Sequence, residues 1–326
     1  MTEIVLFTTV AMLFATVVWQ TLGLIIARKL LYSDHHQIAS LQTPEQRGLD
    51  VTRLSIPVDG QHNLAAWLVA PRPHVSLGGA CVVMVHGYSS GKDKLWDFPE
   101  DDDYQASTLE QGAVSLVEAG FHVAAIDLRN HGESDDNGPV TLGARESDDV
   151  LATLDYLQCR ANYLGIDRDR IGLRGESMGA ATCLIAGARD QHNRVCAIWS
   201  DSAFACASDA IVDFMRYKNI PAVFARPARF WLTILAGVSL SEASPIQFID
   251  SITCPVFLTH SDGDTMLPMR HLETLATSSE WQEQPTTWQL QSHGHNRLWR
   301  EPDYHQRQIE FFRTHLAASK LQPKAA

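Results

Sequence analysis

Residues 170–174 read Arg170-Ile171-Gly172-Leu173-Arg174 and residues 180–186 read Ala180-Ala181-Thr182-Cys183-Leu184-Ile185-Ala186. The first is a strand candidate, the second a helix candidate built from small and apolar residues. Between them stands Gly175-Glu176-Ser177-Met178-Gly179, a G-x-S-x-G pentapeptide. At ordinary Gly and Ser usage, a chain of this length carries on the order of 0.1 such matches by chance. A serine on a sharp strand-to-helix turn must be flanked by glycines, because side chains there would collide with the elements on either side. The turn lifts Oγ clear of the sheet and aims the N–H groups of the new helix at whatever Oγ attacks. Ser177 is the candidate nucleophile.

Working outward, short apolar runs at 80–85, 121–127, 171–174, 195–200 and 256–260 read as strands buried on both faces. Helical stretches at 106–119, 144–163 and 179–189 separate them. This alternation predicts an α/β fold with a mostly parallel, doubly wound sheet. Residues 51–57 and 64–70, joined through Asp59-Gly60, predict an antiparallel hairpin at its edge. A last strand is expected at 286–291 and a closing helix at 304–317, so the domain covers residues 51–320. Residues 205–250 break the alternation with two helical patterns, 207–217 and 227–236, and dense aromatics: Phe214, Tyr217, Phe224, Phe230 and Trp231. An apolar insertion after the strand that follows the nucleophile reads as a helical lid over a pocket. The plainer alternative is a further pair of packed surface helices.

The chain has 326 residues, 45% of them hydrophobic, enough to bury a large core. Its formal net charge of −12 and the lack of any basic run exclude the electrostatic footprint of a nucleic-acid binder. Six cysteines, at 81, 159, 183, 196, 206 and 254, show no C-x-x-C spacing. They read as reduced, mostly buried small hydrophobes, and no zinc or other metal site is expected.

Residues 4–27 contain no charge, with only Thr, Gln20 and Gly23 as weak polar breaks. As a helix that stretch spans a ~30 Å hydrocarbon core with some tilt. A secretory leader fits poorly, since the apolar run is long, no basic segment precedes it and no small-x-small cleavage site follows. The expectation is a transmembrane anchor over 1–30 and a polar linker over 31–50. Arg28 and Lys29 follow the span while only Glu3 precedes it. The positive-inside tendency then places the catalytic domain on the cytoplasmic side of a single-pass protein.

Acyl transfer from a serine also needs a base, a carboxylate that orients it, and an oxyanion hole. The carboxylate candidates follow a strand, in Thr259-His260-Ser261-Asp262-Gly263-Asp264. Asp264 is preferred because it sits past the Gly turn, with Asp262 supporting that turn. The base candidates are His293 and His295 in Ser292-His293-Gly294-His295-Asn296, immediately after the last strand. The oxyanion hole is expected at the backbone N–H groups of Tyr88, in His86-Gly87-Tyr88, and of Met178.

Together with Asp127-Leu128-Arg129-Asn130-His131-Gly132-Glu133-Ser134, and with Pro268 after the acid loop, these motifs carry a resemblance. The chain resembles the α/β-hydrolase superfamily, in its group of serine hydrolases related to monoacylglycerol lipases and serine aminopeptidases. The resemblance covers about residues 51–318. It implies a triad in the order Ser177, Asp264, His295, and no cofactor. Asp127, Arg129 and His131 then belong to a structural turn. The expected activity is hydrolysis of a small-molecule carboxylic ester or thioester, next to the membrane held by residues 4–27. One rival is a serine aminopeptidase, with Asp209, Asp213 or the acidic run at 100–103 holding an α-amine. The other is a catalytically silent scaffold on the same fold.

Overall fold

The strongest constraint on the fold is that five consecutive strands are buried along nearly their whole length and must be covered on both faces. The computed structural model describes residues 2–32, 43–95, 112–295 and 297–317. In it the strands β1 (Asp50–Val58), β2 (His62–Ala70), β3 (Cys81–Val85), β4 (His122–Ile126), β5 (Ile171–Glu176), β6 (Val195–Asp201), β7 (Val256–Ser261) and β8 (Thr286–Leu290) form one sheet. Its order is β1-β2-β4-β3-β5-β6-β7-β8. The β1–β2 hairpin is antiparallel and pairs antiparallel with β4, whereas every pair from β4 to β8 is parallel. The expected mostly parallel sheet with an antiparallel hairpin edge is the architecture found.

The helices are α1 (Thr2–Leu31), α2 (Ala113–Glu118), α3 (Glu146–Cys159), α4 (Ala161–Leu164), α5 (Met178–Arg189), α6 (Ala207–Tyr217), α7 (Ala225–Ala236), α8 (Arg270–Ala276) and α9 (Tyr304–His315). One face of the sheet buries Val83, Val85, Ile126 and Leu173 with Leu154 and Leu184 from α3 and α5. The other buries Val82, Met84, Ala125 and Trp199 with Leu116 of α2 and Phe311 and Phe312 of α9. Successive strand residues alternate between these two cores, as period-two side chains must.

Differences from the sequence expectations are local. The helix expected over 144–163 is broken at Arg160, whose backbone leaves the helical region (φ −112°, ψ 11°) while its guanidinium stacks on Tyr156. Part of the expected 31–50 linker is structured: Leu31 still belongs to α1, and Glu45–Arg47 form a 3-10 turn leading into β1. The acidic run at 100–103, the start of the helix expected at 106, residues 33–42 and the chain beyond 317 lie outside the described residues.

Candidate active site

Parallel strands present chemistry at their carboxyl ends, and here β5, β7 and β8 end at one rim. Between β5 and α5, Ser177 adopts φ 53° and ψ −116°, a left-handed conformation costing a non-glycine residue about 1–3 kcal/mol. The flanking glycines explain how the turn is held. A Cβ on Gly175 would lie 2.3 Å from the Gly179 carbonyl oxygen, and one on Gly179 would lie 2.3 Å from that of Val85. Neither position has room for a side chain. The elbow is also stitched to the sheet, the Ser177 N–H donating to the Asp201 carbonyl at 2.8 Å.

His295 lies between the other two candidates. Its Nε2 is 2.8 Å from Ser177 Oγ, and its Nδ1 is 2.6 Å from Asp264 Oδ2. A carboxylate can only accept, so it selects the tautomer with the proton on Nδ1. Nε2 is then left to accept the Ser177 hydroxyl proton. Asp264 is fixed in turn: its Oδ1 accepts the N–H groups of Met266 at 2.9 Å and Leu267 at 2.8 Å.

The alternatives occupy other positions. Asp262 is exposed, and its Oδ1 accepts the Ser292 N–H at 2.7 Å, joining the acid loop to the loop after β8. His293 Nε2 faces Glu301 Oε2 at 3.3 Å. Asn296 lies outside the described residues. Among the other expected residues, Asp127 takes the Lys92 Nζ and backbone N–H, each at 2.6 Å, and Arg129 forms a bidentate pair with Asp149. Both tie loops together through these contacts.

One supporting residue escaped sequence reasoning. His260 is fully buried at the end of β7, where its Nε2–H donates to the Leu267 carbonyl at 2.7 Å and lies 3.5 Å from Asp264 Oδ2. Burial pushes its pKa down, so a neutral ring flanks the carboxylate without competing for its charge.

Behind the elbow, on the α9 side of the sheet, lies a buried polar cluster. Tyr304 donates to Asp201 Oδ2 at 2.7 Å and accepts from Trp199 Nε1 at 3.0 Å, while Ser202 donates to Asp201 Oδ1 at 2.8 Å. Arg174 pairs with Glu176, the residue preceding Ser177. Burial, with Glu176 nearby, raises the Asp201 carboxyl to about 6, and Arg174 opposes that shift.

Ser177 and His295 open into a cavity of about 370 Å³ whose walls include Tyr88, Met178, Phe214 and Leu232. Tyr88 and Met178, the expected oxyanion donors, thus border the same space as the serine. Among the described residues no carboxylate lines it. Asp213, offered for an α-amine, is instead buried and paired with Arg216, Arg270 and His271, and Asp209 is exposed on α6.

Two cavity-lining residues come from an element that the sequence placed elsewhere: Leu30 and Leu31, the last turn of α1. The Tyr88 hydroxyl donates to the Leu30 carbonyl at 2.7 Å, and the Val140 N–H donates to that of Leu31 at 3.0 Å. Residues 2–18 of α1 are exposed all round, whereas Gly23, Ala27 and Leu31 form a buried stripe against α6 and α7.

The comparisons with known proteins bear on fold and family. An esterase of Pyrococcus furiosus superposes with a TM-score of 0.64 at 21% identity, covering 86% of this chain and 98% of that one. An acylaminoacyl peptidase of Pyrococcus horikoshii gives 0.60 at 15% identity, over 86% of this chain and 43% of that one. An α/β hydrolase from Penicillium gives 0.59 at 17% identity, over 83% and 100%. At such identities the likeness is one of fold. Protein YqkD of Bacillus subtilis (strain 168), an uncharacterized protein, is 34% identical over 164 residues, 49% of this chain and 52% of that protein. An uncharacterized 31.7 kDa protein of Escherichia coli is 36% identical over 93 residues, 28% and 31% of the two chains. The chain therefore spans about half or less of the curated relatives it matches. The BD-FAE family model matches residues 79–278, from the start of β3 past α8, and takes in the elbow and the acid loop. With more than half its length matched and an α/β-hydrolase sheet around the matched part, the chain belongs to the BD-FAE family.

Proposed function

We propose that this protein is a membrane-tethered serine hydrolase that cleaves a carboxylic ester or thioester. The observation that carries the reading is the unbroken hydrogen-bond chain from Asp264 through His295 to Ser177. Ser177 Oγ attacks the acyl carbonyl as His295 Nε2 takes its proton, and the imidazolium that forms is stabilised by Asp264. The backbone N–H groups of Tyr88 and Met178 hold the oxyanion, each donor worth roughly 3 kcal/mol in comparable sites. His295 returns the proton to the leaving oxygen or sulfur. Water, activated by the same imidazole, releases the acid from the acyl-enzyme.

The segment 205–250 acts as the lid and residues 4–27 as the anchor. A leader destined for removal would not supply the cavity wall at Leu30 and Leu31, so the docking of α1 favours a retained helix. The apolar lining favours an acyl chain over a sugar. Among the described residues a peptidase reading lacks its carboxylate, because Asp213 is paired with basic neighbours and Asp209 does not line the cavity. The test is turnover of p-nitrophenyl esters against aminoacyl arylamides by wild type and Ser177→Ala. Ester turnover that exceeds arylamide turnover and is lost in the variant is expected. Arylamide turnover exceeding ester turnover would transfer the assignment to a peptidase.

A further inference from the structure

The lid helix α7 is apolar on two opposite faces. Its inner stripe, Ala228, Leu232 and Ala236, is buried against the domain and α1. Its outer stripe, spaced by four residues, presents Phe230 at 53% and Ile234 at 57% exposure, and Val223 just before the helix is 61% exposed. An apolar helix face belongs against protein or lipid, and beyond Arg226 this outer face has no protein against it among the described residues.

The geometry of α1 identifies what covers that face. Residues 4–18, exposed on every side, rise only about 22 Å at 1.5 Å per residue, some 8 Å short of a ~30 Å hydrocarbon core. The missing length must come from the next turns, residues 19–24, and those turns are not free. Trp19 Nε1 donates to the Val223 carbonyl at 2.8 Å, and Trp231 Nε1 donates to Gln20 Oε1 at 3.0 Å. Gly23 is packed so closely that a Cβ there would lie 2.5 Å from Pro227 Cβ. Any bilayer that α1 crosses therefore meets the lid. Trp19 and Trp231 stand where interfacial indoles are favoured, and Arg226, one turn before Phe230, can extend its guanidinium to the headgroups.

We propose that the outer edge of the lid, Val223 and Phe230 with Ile234, is seated in the lipid bilayer, and that the cavity takes its acyl chain from a membrane lipid ester. This inference rests on reading α1 as an anchor. The helix that enters the bilayer ends as the cavity wall at Leu30 and Leu31, which puts the mouth of the site next to the lipid. The domain's acidic balance means that insertion of apolar side chains, not attraction to anionic lipid, supplies the contact.

The test uses the full chain reconstituted into phosphatidylcholine vesicles, with Cys159→Ser as background and as the unlabelled-site blank. A spin label is placed at Phe7→Cys, Val223→Cys or, as a water-side control, Tyr163→Cys, and its collisions with oxygen and with a water-soluble nickel complex are compared. Labels at 7 and 223 are expected to meet oxygen in preference to nickel, and the label at 163 the reverse. A lipid-facing label at 7 with a nickel-accessible one at 223 overturns the inference and leaves the anchor standing. A nickel-accessible label at 7 overturns both. A label at 223 shielded from both reagents means a second copy or another protein covers the lid, which also overturns it. In parallel, Phe230→Asp is expected to lower turnover of a long-chain monoacyl ester in those vesicles about tenfold, the scale of one buried aromatic. Turnover of soluble p-nitrophenyl butyrate should be spared. Equal effects on both substrates, or none, contradict the proposal.

Discussion

Asp264 does two jobs with two oxygens, and its replacement separates them. Oδ1 holds the backbone N–H groups of Met266 and Leu267, and Oδ2 receives the His295 Nδ1–H. In Asp264→Asn the first set survives, but the amide nitrogen now donates to Nδ1 and forces the proton onto Nε2. Under the proposed mechanism the base is then blocked in a folded protein. Steady-state kinetics should show kcat falling on the order of 10³- to 10⁴-fold with KM little changed. Asp262→Asn and His293→Ala, whose partners are Ser292 and Glu301, are expected to stay near wild type. A loss in either comparable to that of Asp264→Asn would move the role to that residue.

At the scale of elements, α9 supports the turn that carries Ser177 from behind the sheet. Tyr304→Phe removes the bond to Asp201 and the acceptor for Trp199, leaving buried polar groups unpaired. A loss of about 1–3 kcal/mol in urea unfolding is expected. Its neighbour His305 makes stability depend on pH. Burial, with Arg174 nearby, pushes the imidazole down to about 4, so the folded state holds it neutral. That contribution is present above the ordinary value near 6.5 and is lost as pH falls from there toward 4. Wild type should therefore lose more unfolding free energy between pH 7 and pH 4.5 than His305→Gln does. Asp201 titrates in the same interval in both proteins and cancels in the comparison.

The same two elements show what a sequence can carry. The strands and the G-x-S-x-G turn were legible because they are local: apolar runs of five or six residues and two glycines bracketing one serine. The Ser177, Asp264 and His295 positions were legible for a related reason, since each follows a strand. Tyr304 beneath Asp201, or the Tyr88 hydroxyl on the Leu30 carbonyl, joins residues 103 and 58 positions apart. No periodicity encodes such pairs. His260 was similarly opaque, because a buried histidine at a strand end looks the same whether it supports a carboxylate or fills space.

At the scale of the whole molecule, α1 is both an apolar span and a part of the cavity. Its two halves should separate experimentally. Deleting residues 2–18 removes only the exposed part and leaves Gly23, Ala27, Leu30 and Leu31 on the domain. The shortened protein is expected in the soluble fraction after ultracentrifugation, with turnover of short-chain soluble esters preserved. A shortened protein that stays with the membranes would show that the lid surface alone suffices to bind them. One that leaves the membranes but loses short-chain turnover would make the exposed half part of the active fold.

The central claim is that Ser177, activated by His295, is the nucleophile of this site. A fluorophosphonate probe followed by peptide mapping tests it most directly. The account predicts one phosphonylated residue, Ser177, with labelling abolished in Ser177→Ala and strongly slowed in His295→Ala. Equal labelling of wild type and Ser177→Ala would contradict it.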